Sequence, residues 1–300
     1  MKKKIDVLES PGFLLMHAAC LLAIWSGVSP VALFTCIALY IIRMFGITAG
    51  YHRYFSHGSY KTSRVFQFVL AWLGASAAQQ GPLWWASHHR HHHKYSDTDN
   101  DVHSPLTQGF WWSHMGWLLS PGFHETKHKM VPDLAKYPEL RFINRFYLLP
   151  PITLAISVWA LGAMLEHYFS GLGTTGFQML VWGFFISTVV LYHGTFTVNS
   201  LAHMIGRRRF ETGDGSRNSA FVALITLGEG WHNNHHYFPS SERQGFYWWE
   251  IDVAHYVLRL LSWLGIVWDL KSPPKRIYEV DSKVKEAEAG SAKTTFAASN

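Results

Sequence analysis

Charge is scarce in this chain. Only 15% of its 300 residues are Asp, Glu, Lys or Arg, against about 25% in a soluble domain, which argues against a protein with water on every side. Cysteine is scarcer still, at two residues, and both Cys20 and Cys36 fall inside apolar stretches. No disulfide framework and no CxxC motif can be built from them, so metal chemistry here has to rest on histidine. From Phe13 to Ile42 there is no charged residue at all. That run is too long for one span of ~20 residues and fits a helical hairpin broken at Ser26-Gly27-Val28-Ser29-Pro30. A cleaved leader is the competing reading of its first half. The second apolar run follows at once without a convincing cleavage site, which disfavours that reading. The net charge of +6 and pI near 9.2 do not point to nucleic acid, because the basic residues cluster beside apolar runs. There they read as anchors to an anionic membrane face.

What the chain has in quantity is histidine and aromatic side chains: 19 His, 14 Trp, 13 Tyr and 20 Phe. Along its length, apolar runs predict membrane helices at about 12–26, 31–50, 146–165 and 177–198. The two turns within these pairs carry no Lys or Arg. The Met1-Lys2-Lys3-Lys4 cluster, Arg43, Arg53 and Arg207-Arg208-Arg209 flank the outer ends, which places both termini in the cytoplasm. Val65 to Ala78 is too short to span and reads as a re-entrant or interfacial helix. Trp248 to Trp268 reads as a second interfacial helix. The expected fold is an all-α integral membrane protein, with four transmembrane helices in two hairpins. Residues 51–145 and 199–272 form a cytoplasmic helical cap that houses a His-rich dimetal site. Residues 1–272 make one domain, and the Lys-, Glu-, Ala- and Ser-rich tail 273–300 reads as disordered.

Five histidines stand in six positions at His88-His89-Arg90-His91-His92-His93. On a helix, His89, His92 and His93 share one face, as a multidentate metal site requires. A solvated patch or an accidental His tract is the bland alternative. Against it, the same HxxHH spacing returns at His232, His235 and His236, Asn199 and His203 stand at i and i+4, and His52 and His57 follow the second span. His52 and His57, at i and i+5, match one α-helical face poorly, so a bend is expected between them. The two hairpins deliver every one of these motifs to the same side. Nine imidazoles are too many for one ion and suit two. Two metals at a membrane interface suit oxidation of an unactivated acyl or alkyl chain by O₂. Iron is favoured by that chemistry and not by affinity, since zinc could take its place. A membrane metal transporter or sensor is the contrasting class, but its ligands should lie inside the spans.

These motifs resemble the membrane fatty acid desaturases, and in particular the acyl-CoA branch. The likeness is carried by His52-Arg53-Tyr54-Phe55-Ser56-His57, His89-Arg90-His91-His92-His93-Lys94-Tyr95, Asn199-Ser200-Leu201-Ala202-His203 and Gly228-Glu229-Gly230-Trp231-His232-Asn233-Asn234-His235-His236, with the lead-in Ile47-Thr48-Ala49-Gly50. It covers roughly Phe13 to Trp268. The resemblance implies a diiron centre ligated by His52, His57, His89, His92, His93, His203, His232, His235 and His236, with Asn199 acting through water. It also implies a kinked acyl tunnel and a cis double bond, in the family's habit between the ninth and tenth carbons of an acyl-CoA. An acyl-lipid desaturase, a fatty acid hydroxylase and an alkane monooxygenase share the same chemistry and stay open.

Metal-bound imidazoles usually donate their other N–H to a carboxylate or carbonyl, and Asp97, Asp99 and Glu229 are placed to accept it. Arg53, Lys94 and Arg207 to Arg209 are candidates for phosphate contacts. Tyr40 lies about 18 Å down a helix from His52 at 1.5 Å per residue, where its ring would cap a tunnel that also passes Thr48. His88 and His91 are expected outside the ligand set, His103, His114, His124, His128, His167 and His255 at ordinary surface or interfacial positions, and His17 and His193 either in hydrogen bonds within the bundle or beside the tunnel. There is no His-Pro-Gly-Gly haem motif, so electrons are expected from a separate ferredoxin, rubredoxin or cytochrome b5 with its reductase. A bacterial inner membrane is the expected location, with the endoplasmic reticulum as alternative.

Overall fold

The computed structural model describes residues 10–279. The Met1–Lys4 cluster and most of the expected tail lie outside the described residues.

Among the described residues, three helices are long and apolar enough to cross a membrane: α2 (Pro30–Ser56), α5 (Leu149–Tyr168) and α6 (Gly176–His203). Before them α1 (Pro11–Ser26) is a shorter apolar helical run, interrupted by a 3-10 turn at Cys20–Leu22. Gly27 closes it at φ +62. Ser29 then starts α2, its Oγ accepting from Ala32 N–H at 3.1 Å, with Pro30 at a position where a missing N–H costs nothing. Ser63 caps α3 (Arg64–Ala75) in the same way, and Pro82 opens α4 (Pro82–Tyr95). The fold is not wholly helical, because Lys61–Thr62 (β1) pairs antiparallel with Val267–Trp268 (β2).

The bend expected between His52 and His57 is absent. The last eleven residues of α2, Gly46–Ser56, are wound as a π-helix, whose hydrogen bonds run to the fifth residue. His57 N–H accordingly bonds His52 C=O at 3.3 Å, and a spacing that looks wrong for an α-helix puts both rings on one face. Crowding against α3 is tight over this stretch. A Cβ on Gly46 would stand 2.7 Å from Leu73 Cγ, and one on Gly50 3.2 Å from Leu70 C=O.

Arg43 is not the flanking anchor that its sequence position suggested. It lies within α2, 1% exposed, with its guanidinium donating to Leu39 C=O (3.0 Å), Ser76 C=O (3.3 Å), Thr188 Oγ1 (2.7 Å) and Ser187 Oγ (2.5 Å). These neutral acceptors tie α2 to the end of α3 and to α6. His17 and His193 bond within the helix assembly: His17 Nε2 meets His193 Nε2 at 3.2 Å, and His193 Nδ1 meets His114 Nε2 at 3.0 Å. This fastens α1 to α6 and to the short helix Phe110–His114.

Two boundaries near the C-terminus differ from expectation. Helix α7 (His232–Tyr237) carries the last His motif, and the aromatic stretch after it is helical only over α8 (Val253–Trp263). Trp248 and Trp249 precede that helix and are exposed, whereas Glu250 and Asp252 are buried and committed to ion pairs with Arg209 and Arg53. The packed chain also runs past residue 272. Ile277 is buried beside Phe210 and Phe246, and Tyr278 O–H donates to Phe246 C=O at 3.0 Å.

Candidate metal centre

Four helices converge through their histidine-bearing ends. The π-helical end of α2 supplies His52 and His57, α4 supplies His89, His92 and His93, the last turn of α6 supplies His203, and α7 supplies His232, His235 and His236. The nine imidazoles sort into two groups that could each hold an ion: His52, His57, His89, His93 and His235, and His92, His203, His232 and His236. Within each group one ligand atom per residue lies within 4.8 Å of all the others. Helix α4 feeds both groups, because His92 points to one and its neighbours to the other.

The carboxylates behind the imidazoles settle which nitrogen faces inward. In the four-histidine group, His92 Nδ1 meets Asp101 at 2.9 Å, His203 Nδ1 meets Asp97 at 2.8 Å and His236 Nδ1 meets Asp214 at 2.6 Å. A neutral imidazole that donates through Nδ1 presents a lone pair at Nε2. His203 Nε2 faces His232 Nε2 at 3.0 Å, and His236 Nε2 is buried without any partner. In the five-histidine group, His52 Nδ1 pairs with Glu229. His52 Nε2 and His93 Nε2 both approach His235 Nε2, at 3.0 and 2.9 Å, and His57 Nε2 meets His89 Nε2 at 2.8 Å. Buried lone pairs turned on one another repel unless a proton or a cation lies between them. The donor set therefore fits two nitrogen-loving metal ions.

Electrostatics support that fit. Burial and neighbouring imidazoles hold His57, His89, His93, His232 and His235 well below the usual histidine range, and burial takes His236 down to about 4. All are neutral, as metal ligation requires, near pH 7. His92 goes the other way, since burial is outweighed by the charge and hydrogen bond of Asp101. Asp97 is pushed up by burial but held at about 2 by its hydrogen bond to His203. Asp101 and Asp214 lie below the ordinary carboxylate range, burial again being outweighed by their histidines.

Two of the three carboxylates expected behind the ligands stand there, Asp97 and Glu229. Asp99 is exposed, and Asp101 holds His92 in its place. Neither Asp101 nor Asp214 was picked out from sequence. Asp101 stood in the same acidic run two residues on, whereas Asp214 sits in the turn Thr212–Ser216 with nothing nearby to flag it. Arg53 is not free for phosphate: it is 1% exposed and bonds Glu229 (3.1 Å), Asp252 (2.9 Å) and Glu242 C=O (2.7 Å). Arg209 is likewise paired with Glu250. His88 and His91 turn to the backbone, bonding Trp84 C=O and Asn100 C=O at 3.0 Å each.

Two cavities border the groups. The larger, about 780 Å³, is lined by α1, α5 and α6 and reaches His88, His89, His103 and Asn199. The smaller lies between the His groups and α2, against Met44, Ile47, Thr48, His52, His92, His232 and Glu229. Trp85, His89, Thr195 and Asn199 line both. Thr48 thus borders the inner cavity. Tyr40 does not line either one. It lies one turn beyond Met44, its hydroxyl donating to Ile225 C=O at 2.5 Å and packed against Gly194.

A model of the fatty acid desaturase family matches residues 28–266. The chain is 39% identical over 266 residues to a chloroplastic palmitoyl-monogalactosyldiacylglycerol delta-7 desaturase of Arabidopsis thaliana, covering 86% of this chain and 67% of the relative. It is 40% identical over 262 residues to an acyl-CoA C20 Delta5-desaturase of Anemone leveillei, covering 86% and 79%. With an sn-1 stearoyl-lipid 9-desaturase of Anabaena variabilis it shares 37% identity over 281 residues, covering 92% and 97%.

Proposed function

The chain belongs to the fatty acid desaturase family, and from that premise we propose that it is a membrane oxidoreductase that converts an esterified saturated acyl chain to a cis-monounsaturated one. Two vicinal hydrogens leave the chain, and O₂ is reduced to water with two electrons from a separate donor protein. The nine imidazoles hold two iron ions in this reading, with Asn199 contributing through water. Bound iron would supply the O₂ activation needed to break unactivated C–H bonds.

The observation that carries the proposal is the junction of the two cavities. Trp85, His89, Thr195 and Asn199 line both, which supports an acyl chain that runs from the outer toward the inner cavity beside the His groups. A turn of the acyl chain at that point would position one pair of carbons. The double bond falls between the ninth and tenth carbons if the chain follows the family's habit. The inner cavity stops at Met44, with Tyr40 behind it as the limit on chain length. Tyr40→Ala is expected to lengthen the preferred acyl chain, read as product chain length by mass spectrometry. An unchanged profile removes Tyr40 from that role.

The same reading makes α1 the fourth span beside α2, α5 and α6, with both termini and the His centre on the cytoplasmic side of a bacterial inner membrane. Ferredoxin, rubredoxin or cytochrome b5 with its reductase are the donor classes that fit. The deciding experiment is a fatty-acid methyl ester profile of a host expressing the wild type or the His92→Ala/His235→Ala double variant, with double-bond derivatisation. A new monounsaturated acid made by the wild type alone is the expected result. A hydroxy acid would move the chain to hydroxylation. No new product, with iron bound and a competent donor, would sink the proposal.

A further inference from the structure

Helix α4 carries more than ligands toward the His groups. Residues four apart on a helix share a face, so Trp85 sits one turn before His89 and stacks on it, ring centroids 5.0 Å apart. Trp84, on the next face, lies flat against Trp117 at 5.7 Å and 8° from parallel. Trp117 in turn is 5.1 Å from His103, and His103 is stacked 4.4 Å from His92. Trp112 packs with Trp84 and Trp117 in one buried cluster, against which Trp85 also rests. Four indoles thus form one contiguous body. It meets a ligand of the five-histidine group directly, at His89, and a ligand of the four-histidine group, His92, across one intervening ring.

Packing alone does not call for indoles here. Trp117 Nε1 is buried without a hydrogen-bond partner, a cost that phenylalanine in the same place would avoid. A buried group left unpaired in a native fold asks for a reason, and a redox role is one of the few. Indole gives up an electron far more readily than a benzene ring. Trp84 and Trp112 donate their N–H to Phe123 C=O at 2.8 Å and to Val102 C=O at 3.2 Å. A carbonyl is too weak a base to take that proton, so an oxidised indole here stays a radical cation and draws an electron from the next ring.

The surroundings suit positive charge and outside access. The Asp101 carboxylate accepts from His92 at 2.9 Å and from His103 N–H at 3.3 Å, which favours a cation at that end of the row. Trp84, Trp85 and Trp117 also line the outer cavity, where a small molecule can reach them when no acyl chain is in place.

We propose that this indole cluster is an electron reserve, which quenches oxidising equivalents left at the His groups when O₂ is consumed with no acyl chain bound. In coupled turnover O₂ takes two electrons from the donor protein and two, with their protons, from the acyl chain. Without that chain two electrons are missing. Trp85 and Trp117 supply one each and become radical cations, and with four protons from solvent O₂ still ends as two waters. Two molecules of a small thiol then return one electron each, leaving two intact indoles, one disulfide and two protons. An acyl chain in the cavity covers the same rings, so the route opens when it is needed. The reserve goes beyond the desaturase reading, since it requires O₂ reduction at the His groups and no particular acyl product.

The test uses the full-length, iron-loaded protein with hydrogen peroxide, and neither electron donor nor acyl substrate. Peroxide takes two electrons from two indoles and two protons from solvent to give two waters, so the reserve is read apart from desaturation. Freeze-quenched electron paramagnetic resonance of the wild type should show an indole radical, identified by its narrowing when the chain carries ring-deuterated tryptophan. Dithiothreitol should abolish it. The signal should shrink in Trp117→Phe and vanish in Trp85→Phe/Trp117→Phe, with peptide mapping then finding His89 and His92 oxidised. Trp117→Tyr puts back an oxidisable ring and should spare His92. Peroxide consumed by the wild type without an indole signal overturns the reserve, and so does a signal that survives in the double variant. Either result leaves the desaturase reading to the fatty-acid profile. If the double variant does not hold iron, the wild type decides alone by peptide mapping after repeated peroxide without thiol. Oxidation that falls first on the four tryptophans supports the reserve, and oxidation that falls first on the ligand histidines overturns it.

Discussion

The two histidine groups differ more in what stands behind them than in the imidazoles themselves. The five-histidine group has one carboxylate in direct contact with a ligand, Glu229, and Arg53 competes for it at 3.1 Å. The four-histidine group has three, Asp97, Asp101 and Asp214. Among the described residues, their hydrogen bonds besides those of the histidines come from neutral donors: Ser104 Oγ–H and Gly215 N–H on Asp97, Asp97 N–H and His103 N–H on Asp101, and Thr212 Oγ1–H and Ser216 N–H on Asp214, with the Lys127 charge reaching Asp101 without a hydrogen bond. A carboxylate free of a competing cation makes its imidazole a stronger donor and locks its orientation. One group therefore holds an ion by number of ligands, the other by their quality. Two ions in such surroundings are not interchangeable.

The largest effect should come from removing one imidazole from each group. His236→Ala leaves three ligands where there were four, and bound iron is expected to fall from two ions per chain to about one. Activity should fall by more than the roughly 10–100-fold that loss of a partner behind a ligand costs. His57→Ala leaves four ligands in its group and should retain most of its second ion. Metal analysis of the purified full chain checks both, and equal losses would break the comparison.

Much of this contrast was hidden in the sequence for identifiable physical reasons. The HxxHH spacing is visible because an α-helix turns it into one face, and His89, His92 and His93 occupy α4 on that pattern. His52 and His57 looked mismatched because the expected period was 3.6, whereas Gly46–Ser56 is π-wound. The carboxylates were harder, because loops choose them. His203 reaches Asp97 across more than a hundred positions, and Asp214 is set by a turn that joins Thr212 to Ser216. Arg53 looked like a surface cation from its place beside a span. Only packing shows that Glu229, Asp252 and the Glu242 carbonyl enclose it. Three apolar helices were legible as long runs, and α1 runs over Pro11–Ser26 as expected, although at that length it is shorter than the three that can span a membrane.

The next effect in size separates the carboxylates. Asp101→Asn and Asp214→Asn keep the shape but weaken the acceptor, and each should cost about 10–100-fold in metal affinity at the four-histidine group. Competition with a chelator, read by metal content, measures it. Glu229→Gln should cost less, because Arg53 already draws on that carboxylate. The Gln side chain would also leave Arg53 with Asp252 as its remaining carboxylate, so thermal stability should fall more than metal affinity does. If Glu229→Gln loses iron as readily as Asp101→Asn, the asymmetry lies in ligand number alone.

Acid provides the finest separation, because the two groups should meet protons differently. His57, His89, His93 and His235 are held well below 6.5 by burial and by one another, so protons do not compete for them near pH 6. His92 is raised above 6.5 because Asp101 outweighs burial, so a metal must displace a proton from it. Apparent affinity at the four-histidine group should then fall by up to tenfold per pH unit below that raised value, while the four lowered imidazoles of the other group add no such loss through pH 6. Metal titration of the apoprotein at pH 7.5, 6.5 and 5.5 reads the difference. Stability of the same apoprotein carries a check on the sign. His236 has a folded value of about 4, below its unfolded ~6.5, so the unfolded chain binds the extra proton between those values. Its effect is nil above ~6.5 and destabilising as pH falls from there toward 4. His92 acts oppositely: its contribution is fully present below ~6.5 and is lost as pH rises through its folded value. With several lowered histidines against one raised, the melting temperature of the metal-free chain should fall from pH 6.5 toward 4. In Asp101→Asn, where His92 loses the charge that raises it, that fall should steepen. A variant whose acid profile matches the wild type would mean that His92 and Asp101 are coupled less tightly than their 2.9 Å contact implies.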